Sequence, residues 1–125
     1  MKDGDDWVLN GRKIWISRAA EADFTIVMAV TDKEKGARGG ISAFLVDKDT
    51  PGFIVERRIP MIGGVSTYEV VLEDCRVADW KLLGEEGQGF APMQLRLTTR
   101  RLEMASWCIG MSQRAVDMMC SISMR

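Results

Sequence analysis

The sequence predicts a mainly β protein, an antiparallel β-barrel or β-sandwich, followed by one long α-helix. Five or six short apolar segments, separated by turn residues, occupy the first two thirds of the chain. From about Phe90 onward only Pro92 and Gly110 interrupt a segment rich in Leu, Met, Ala, Arg and Gln, which favour helix. We therefore expect a β-domain over residues 1–84 and the start of a helical domain over residues 85–125.

The first predicted element is a β-hairpin with strands at residues 7–9 and 13–17. Asn10 and Gly11 lie between them, and both residue types tolerate the positive φ angles of a two-residue turn. Further strands are predicted at residues 24–30, 41–46, 53–59 and 68–73, which are apolar or partly alternating runs. A charged, glycine-containing loop, a Pro-Gly turn and a Gly-Gly pair separate these four runs.

The last predicted element is one helix from about Phe90 to Arg125. Its apolar residues surround most of its circumference, so the β-domain could cover only one side. They include Leu97, Leu102, Ala105, Ile109, Ala115, Val116, Met119 and Ile122. We expect the rest of a helical domain to follow Arg125, which would make this chain part of a truncated larger protein. The alternative is a helix that dimerises.

Composition excludes several functional classes. Seventeen basic and eighteen acidic residues give a net charge of -1, so neither nucleic-acid nor membrane-surface binding is predicted. The polar, acidic N-terminus does not resemble a secretory signal, and we expect an intracellular protein. Three widely spaced cysteines, Cys75, Cys108 and Cys120, predict neither disulfides nor a metal site. The chain has no histidine, which excludes Ser-His and Cys-His catalysis within it.

Six segments, taken in order, resemble the acyl-CoA dehydrogenases. Residues 9–17 resemble the motif L-N-G-x-K-x-W-I-[ST], and Ala22-Asp23 stands where the family has A-D before its next strand. Residues 41–52 resemble G-x-x-x-F-x-V followed by x-P-G, residues 71–77 resemble [VI]-x-F-E-D-V-x-V, and residues 82–90 resemble L-L-G-x-x-x-x-G-F. Arg101 and Gly110 match the family's R and G in register. The matches cover nearly the whole chain.

The resemblance implies a β-domain between two helical domains, with FAD held between the β-domain and the C-terminal helices. The strand of Trp15, Ile16 and Ser17 would then bind the cofactor, with Trp15 beside the isoalloxazine and Ser17 hydrogen-bonded to its redox-active edge. Arg101 would lie near the mouth of the active site and contact substrate. On the residues alone, Trp15 could instead be a core aromatic and Arg101 an exposed helix residue.

The implied reaction is oxidation of an acyl-CoA thioester to the 2,3-enoyl-CoA in fatty acid metabolism. It needs a carboxylate base opposite the flavin. Most of the family places that Glu late in the C-terminal domain, and the position before Arg101 that some members use holds Arg100. No catalytic residue is therefore assigned here, the base is expected beyond Arg125, and the chain alone is expected to be inactive. A T-E-P-x-x-G-S segment is expected before Met1.

The resemblance also implies partners and a compartment. These are an acyl-CoA substrate, an electron-transfer flavoprotein as electron acceptor, a homo-oligomer, and either bacterial cytoplasm or the mitochondrial matrix. The sequence differs from the family pattern in three places. Ala78 replaces a Pro directly after a strand, Thr98 replaces an acidic residue, and the loop at residues 61–67 is short and lacks an Arg. The last two differences concern substrate recognition. Two alternatives remain open, a flavin oxidase or monooxygenase on the same scaffold and a non-catalytic β-sandwich interaction module.

Overall fold

Six strands and one long helix make up most of the structure, a computed structural model that describes residues 1–123. The strands are β1 (Lys2–Asp3), β2 (Asp6–Ser17), β3 (Phe24–Val30), β4 (Ile41–Asp47), β5 (Phe53–Pro60) and β6 (Ser66–Ala78). A single turn of helix, α1 (Ala37–Gly40), precedes β4, a 3₁₀ turn (Asp79–Lys81) follows β6, and the long helix is α2 (Phe90–Ser123). The chain forms two units, Met1–Phe90 and a second that begins at Ala91.

The strands form two antiparallel sheets within the first unit. One has the order β1-β2-β6-β5, and the other contains β3 and β4. Because the sheets pack as separate layers and do not close, the predicted sandwich is confirmed and a closed barrel is not what the described strands form. The rings of Trp7 in β2 and Phe44 in β4 meet with centroids 5.2 Å apart.

The core lies between these two layers and is built from the inward-facing residues of both sheets. Buried residues alternate with exposed or half-buried ones at the start of β2 and the end of β6, whereas the middle of β4 and of β6 is buried continuously. Burying one large apolar side chain stabilises the fold by roughly 1.5–3 kcal/mol. The buried cluster includes Trp7, Leu9, Val27, Phe44, Val46, Phe53, Val70, Leu72, Cys75 and Val77. Burial raises the pKa of the Cys75 thiol, which is consistent with an unreactive core residue.

The predicted hairpin at Asn10-Gly11 is wrong, because β2 runs through both residues and pairs with β6 along its length. Two residues of β6, Glu73 and Asp74, oppose Asn10, which is a β-bulge. The Asn10 amide nitrogen donates to the Asp74 carboxylate at 3.0 Å, and the Asp74 N–H donates to the Asn10 amide oxygen at 2.8 Å. The tolerance of Asn-Gly for unusual backbone angles therefore serves a bulge and not a turn.

The segment between β6 and α2 packs onto the β-domain. The Gly87 N–H donates to the hydroxyl of Ser42 at 2.8 Å, and the Gly89 N–H donates to the carbonyl of Ile41 at 2.8 Å. Gly87 has a φ of 81°, and a Cβ there would overlap the carbonyl oxygen of Gly39. Gly87 and Gly89 are therefore required by close backbone contact.

The second unit contains helix α2 from Ala91 onward, and none of the described residues of α2 is buried. Its long apolar run agrees with the helix predicted from Phe90, although Met124 and Arg125 lie outside the described residues. Large apolar side chains are exposed along it, among them Leu95, Leu102, Trp107, Ile109, Met111, Met119 and Ile122. Within residues 1–123, no helix has the length and apolarity that crossing a bilayer requires.

Candidate functional site

A second bulge lies on β2, where Ile14 and Trp15 together oppose Glu69 of β6. Trp15 has a φ of 64°, a left-handed conformation that is strained for a residue with a large side chain. Its side chain is 56% exposed. Bulges and strained residues concentrate next to functional sites, where they redirect a side chain. The bulge therefore explains how a tryptophan in a core strand comes to face outward.

The residues after the bulge alternate between the core and the surface. Ile16 packs against the buried cluster and anchors the strand, whereas its neighbours Trp15 and Ser17 are exposed. The Ser17 hydroxyl has no hydrogen-bond partner among the residues that the structure describes. The strand thus exposes an aromatic ring and a hydroxyl without a described partner. Ile16 lies between them and packs against the core, which anchors the backbone of this segment.

The outer edge of β2 is open beside these residues. Strand β1 pairs only with Asp6 and Trp7, and β6 occupies the opposite edge. Along the described chain, no strand pairs with that outer edge at Trp15, Ile16 or Ser17. An unpaired strand edge presents backbone N–H and C=O groups that a ligand can bind.

Polar contacts hold the bulge in place from two directions. The Lys13 ammonium donates to the carbonyl of Met28 at 2.8 Å, which ties β2 to β3 in the other sheet. On β6, Glu69 accepts hydrogen bonds from Arg12 at 3.1 Å and from Arg57 at 3.0 Å. Hydrogen bonding to Glu56, and then to Glu69, raises the pKa of the Arg12 guanidinium. This network links β2, β6 and β5 beside the strained tryptophan.

Arg101, the other predicted site residue, lies on α2 in the second unit and is exposed. Its neighbour Arg100 donates to Glu103 at 2.8 Å and lies 4.6 Å above the ring of Trp107. Neither contact involves Arg101, so its substrate-binding role stays a prediction.

Sequence reasoning missed a cleft that begins one residue after Ser17. The turn after β2 and the loop between β5 and β6 form an open surface cleft of about 570 Å³, lined by Arg18, Glu21, Ala22, Gly64, Val65 and Ser66. Volumes of this size suit small organic ligands. The two halves of the cleft are far apart in sequence and meet because Ser17 pairs with Thr67. The sequence offered one signal, an arginine directly after the W-I-S motif.

Comparison with known proteins gives a consistent family match. Residues 1–75 match the family model described as acyl-CoA dehydrogenase, middle domain. (R)-benzylsuccinyl-CoA dehydrogenase of Thauera aromatica is 43% identical over 120 residues, which are 95% of this chain and 30% of that protein. Human mitochondrial short-chain specific acyl-CoA dehydrogenase is 41% identical over 123 residues, which are 97% of this chain and 29% of that protein.

A solved structure agrees with both. The crystal structure of acyl-CoA dehydrogenase from Geobacillus kaustophilus superposes with a TM-score of 0.75 at 38% identity, covering 81% of this chain and 27% of that one. The chain therefore spans less than a third of the length of each of these proteins.

Proposed function

The chain belongs to the acyl-CoA dehydrogenase family, and on that premise we propose that it forms the flavin-binding β-domain of an FAD-dependent acyl-CoA dehydrogenase. The complete enzyme would oxidise an acyl-CoA thioester to the 2,3-enoyl-CoA. The observation that carries this proposal is the bulged end of β2, where Trp15 and Ser17 face outward beside an open strand edge.

The chemistry of these residues fits FAD. A planar isoalloxazine needs an apolar surface along its ring and hydrogen-bond donors at its polar edge. The exposed Trp15 ring provides the first, and the unpartnered Ser17 hydroxyl with the free backbone edge of β2 provides the second. Ile16 contributes its backbone to that edge while its side chain stays in the core.

Bound FAD would supply the group that accepts hydride from Cβ of the substrate. Ser17 would donate its hydroxyl hydrogen bond where negative charge develops, which stabilises that charge by a fixed dipole. Trp15 would exclude water from the same edge. The bulge and the Lys13 contact fix the backbone that carries both side chains, which would limit the reorganisation needed at the moment of reaction.

Proton removal from Cα would require a base that these β-strands do not provide. Arg100 stands directly before Arg101, where some members carry that carboxylate. We therefore assign the base to another part of the complete enzyme, and Arg101 to a contact with the substrate.

Electrons would pass to an electron-transfer flavoprotein, and the enzyme would act as a homo-oligomer. Relatives include a mitochondrial enzyme and bacterial enzymes, so the compartment would be the mitochondrial matrix or the bacterial cytoplasm.

The test is anaerobic flavin reduction in the complete protein that carries this segment. We expect the purified protein to retain FAD and to lose its flavin absorbance when a saturated acyl-CoA is added, with the 2-enoyl-CoA as product. Retained FAD that dithionite reduces but no acyl-CoA of any chain length reduces would contradict the proposal. Rapid reoxidation by oxygen would instead identify an oxidase on the same scaffold.

A further inference from the structure

The cleft beside Ser17 contains an arginine without an ion-pair partner among the described residues. Arg18 lines it, and within residues 1–123 no carboxylate pairs with its guanidinium. Arg58 reaches the edge of the cleft, where its Nε donates to the Ser66 hydroxyl at 2.8 Å. The one acidic lining residue, Glu21, already accepts a hydrogen bond from the Tyr68 hydroxyl at 3.1 Å. Arg18 is therefore the lining cation that remains available to a ligand, whereas Arg58 lies at the edge and is engaged by Ser66.

Hydrogen-bond donors remain free in the cleft. The Ser66 oxygen uses a lone pair to accept from Arg58, so its own hydrogen can be donated to a ligand. Arg18 offers up to five N–H groups in a planar fork that matches the two oxygens of a carboxylate or phosphate.

The backbone fixes the position of Arg18. Its φ is 59°, a left-handed conformation that a residue with a side chain rarely adopts. Its carbonyl accepts the N–H groups of Glu21 and Ala22, each at 3.0 Å, and its own N–H donates to the backbone carbonyl of Ser66 at 3.4 Å. Strained residues persist when the surroundings fix them in this way, and they mark ligand-binding segments. The turn thus holds Arg18 at the wall of the cleft.

From these contacts we propose that the cleft between the turn after β2 and the β5–β6 loop binds a small organic anion. Arg18 pairs with a carboxylate or phosphate group of the ligand, and the Ser66 hydroxyl is the second donor. The shared chemistry is an oxyanion, which could come from a free carboxylate or from a phosphoryl group. The site needs no flavin, so it can be tested apart from the proposed function.

Isothermal titration of the 125-residue chain tests this site. Succinate and inorganic phosphate are titrated at constant ionic strength, with uncharged succinamide as the reference compound. We expect saturable binding of at least one anion with a Kd of about 1 mM or lower, and none of succinamide. The tighter of the two anions identifies the carboxylate or the phosphoryl group as the source.

Variants locate the binding. Arg18→Gln should raise the Kd at least tenfold. Arg18→Gly should do the same while relieving the strained φ, so it serves if the Gln variant folds poorly. Arg38→Gln, in α1 at the far end of β3, is the matched control and should bind like the parent. No saturable binding of either anion, or equal binding by the parent and both Arg18 variants, would overturn the proposal.

Discussion

At the level of single residues, Asp79 connects the start of the chain to the end of the large sheet. The Trp7 indole N–H donates to its carboxylate at 2.6 Å, and the Lys2 ammonium lies 3.1 Å away. Lys2 and then Trp7 lower the pKa of Asp79 from its ordinary value of 3.8. The ionised carboxylate therefore stabilises the folded β-domain.

We predict that Asp79→Asn lowers the free energy of unfolding at neutral pH. Because the folded-state pKa is depressed, the contribution is complete above about pH 4 and is lost as the pH falls through the folded-state pKa. The difference between variant and parent should shrink in the same range. Denaturant unfolding at several pH values measures it. Asp5→Asn, whose side chain makes no described contact, is the control, and a pH-independent difference for Asp79 would contradict the prediction.

For Trp15, the sequence identified the residue but not its backbone conformation. The W-I-S motif identified Trp15 and Ser17, and both prove to be exposed. It did not predict that Trp15 has a positive φ, since that angle arises from the register between β2 and β6. Register depends on long-range pairing, which local residue preferences do not specify.

At the level of elements, strand β3 was predicted with its observed bounds, because a continuous apolar run between polar loops defines it. Strand β6 extends from Ser66 to Ala78, well beyond the predicted residues 68–73. Charged residues in its second half obscured the pattern, and their side chains prove to lie on the exposed face, where Arg76 pairs with Asp3 at 2.6 Å. The hairpin was wrong for the same reason, since the longer β6 gives β2 a partner across Asn10-Gly11.

We predict that replacing glycine by alanine has opposite effects on stability at two positions in neighbouring elements. Gly87→Ala should lower the free energy of unfolding of the β-domain by about 1–3 kcal/mol. The positive φ of Gly87 is strained for alanine, and the Gly39 carbonyl leaves no room for a Cβ. Gly110→Ala should stabilise α2 by about 1 kcal/mol, since the space beside it is open and Ala favours helix.

Tryptophan fluorescence during denaturant unfolding measures the first change, and circular dichroism at the helical band measures the second. Each variant serves as the other's control, because both make the same chemical change. A neutral Gly87→Ala would show that the connection after β6 is looser than these contacts indicate.

At the level of the whole molecule, the apolar surface of α2 should make the chain self-associate. Contiguous exposed apolar patches are uncommon on monomers and promote association. Sedimentation at increasing concentration should show species larger than a monomer, and a hydrophobic dye should fluoresce in its presence. A strictly monomeric chain that binds no dye would contradict this prediction.

We also predict that the 125-residue chain alone has no dehydrogenase activity and binds FAD weakly or not at all. One aromatic face and a few hydrogen bonds must offset an association cost of at least about 4 kcal/mol, which leaves little net affinity. Excess FAD followed by desalting measures retention, and addition of an acyl-CoA measures reduction. A yellow chain that bleaches with acyl-CoA would show that the catalytic groups lie within it.

The sequence identified one part of the candidate site and missed another. The strand proposed to face the flavin was identified from one continuous motif, whereas the cleft at Arg18 is built from segments that only strand pairing brings together. The spacing of residues along the chain does not indicate such a cleft. The placement of Arg101 relative to the strand depends on tertiary packing, which the sequence pattern also leaves open.

The most direct test of the central claim, that the exposed end of β2 is the flavin edge of an acyl-CoA dehydrogenase, is rapid-mixing flavin reduction in the complete protein. Ser17→Ala should fold normally and slow reduction by about 10- to 100-fold, because a hydrogen bond to a developing charge contributes roughly 1.5–3 kcal/mol. Ser17→Thr keeps the hydroxyl and should stay near the parent rate. Reduction of Ser17→Ala at the parent rate would contradict the assignment of this strand to the flavin.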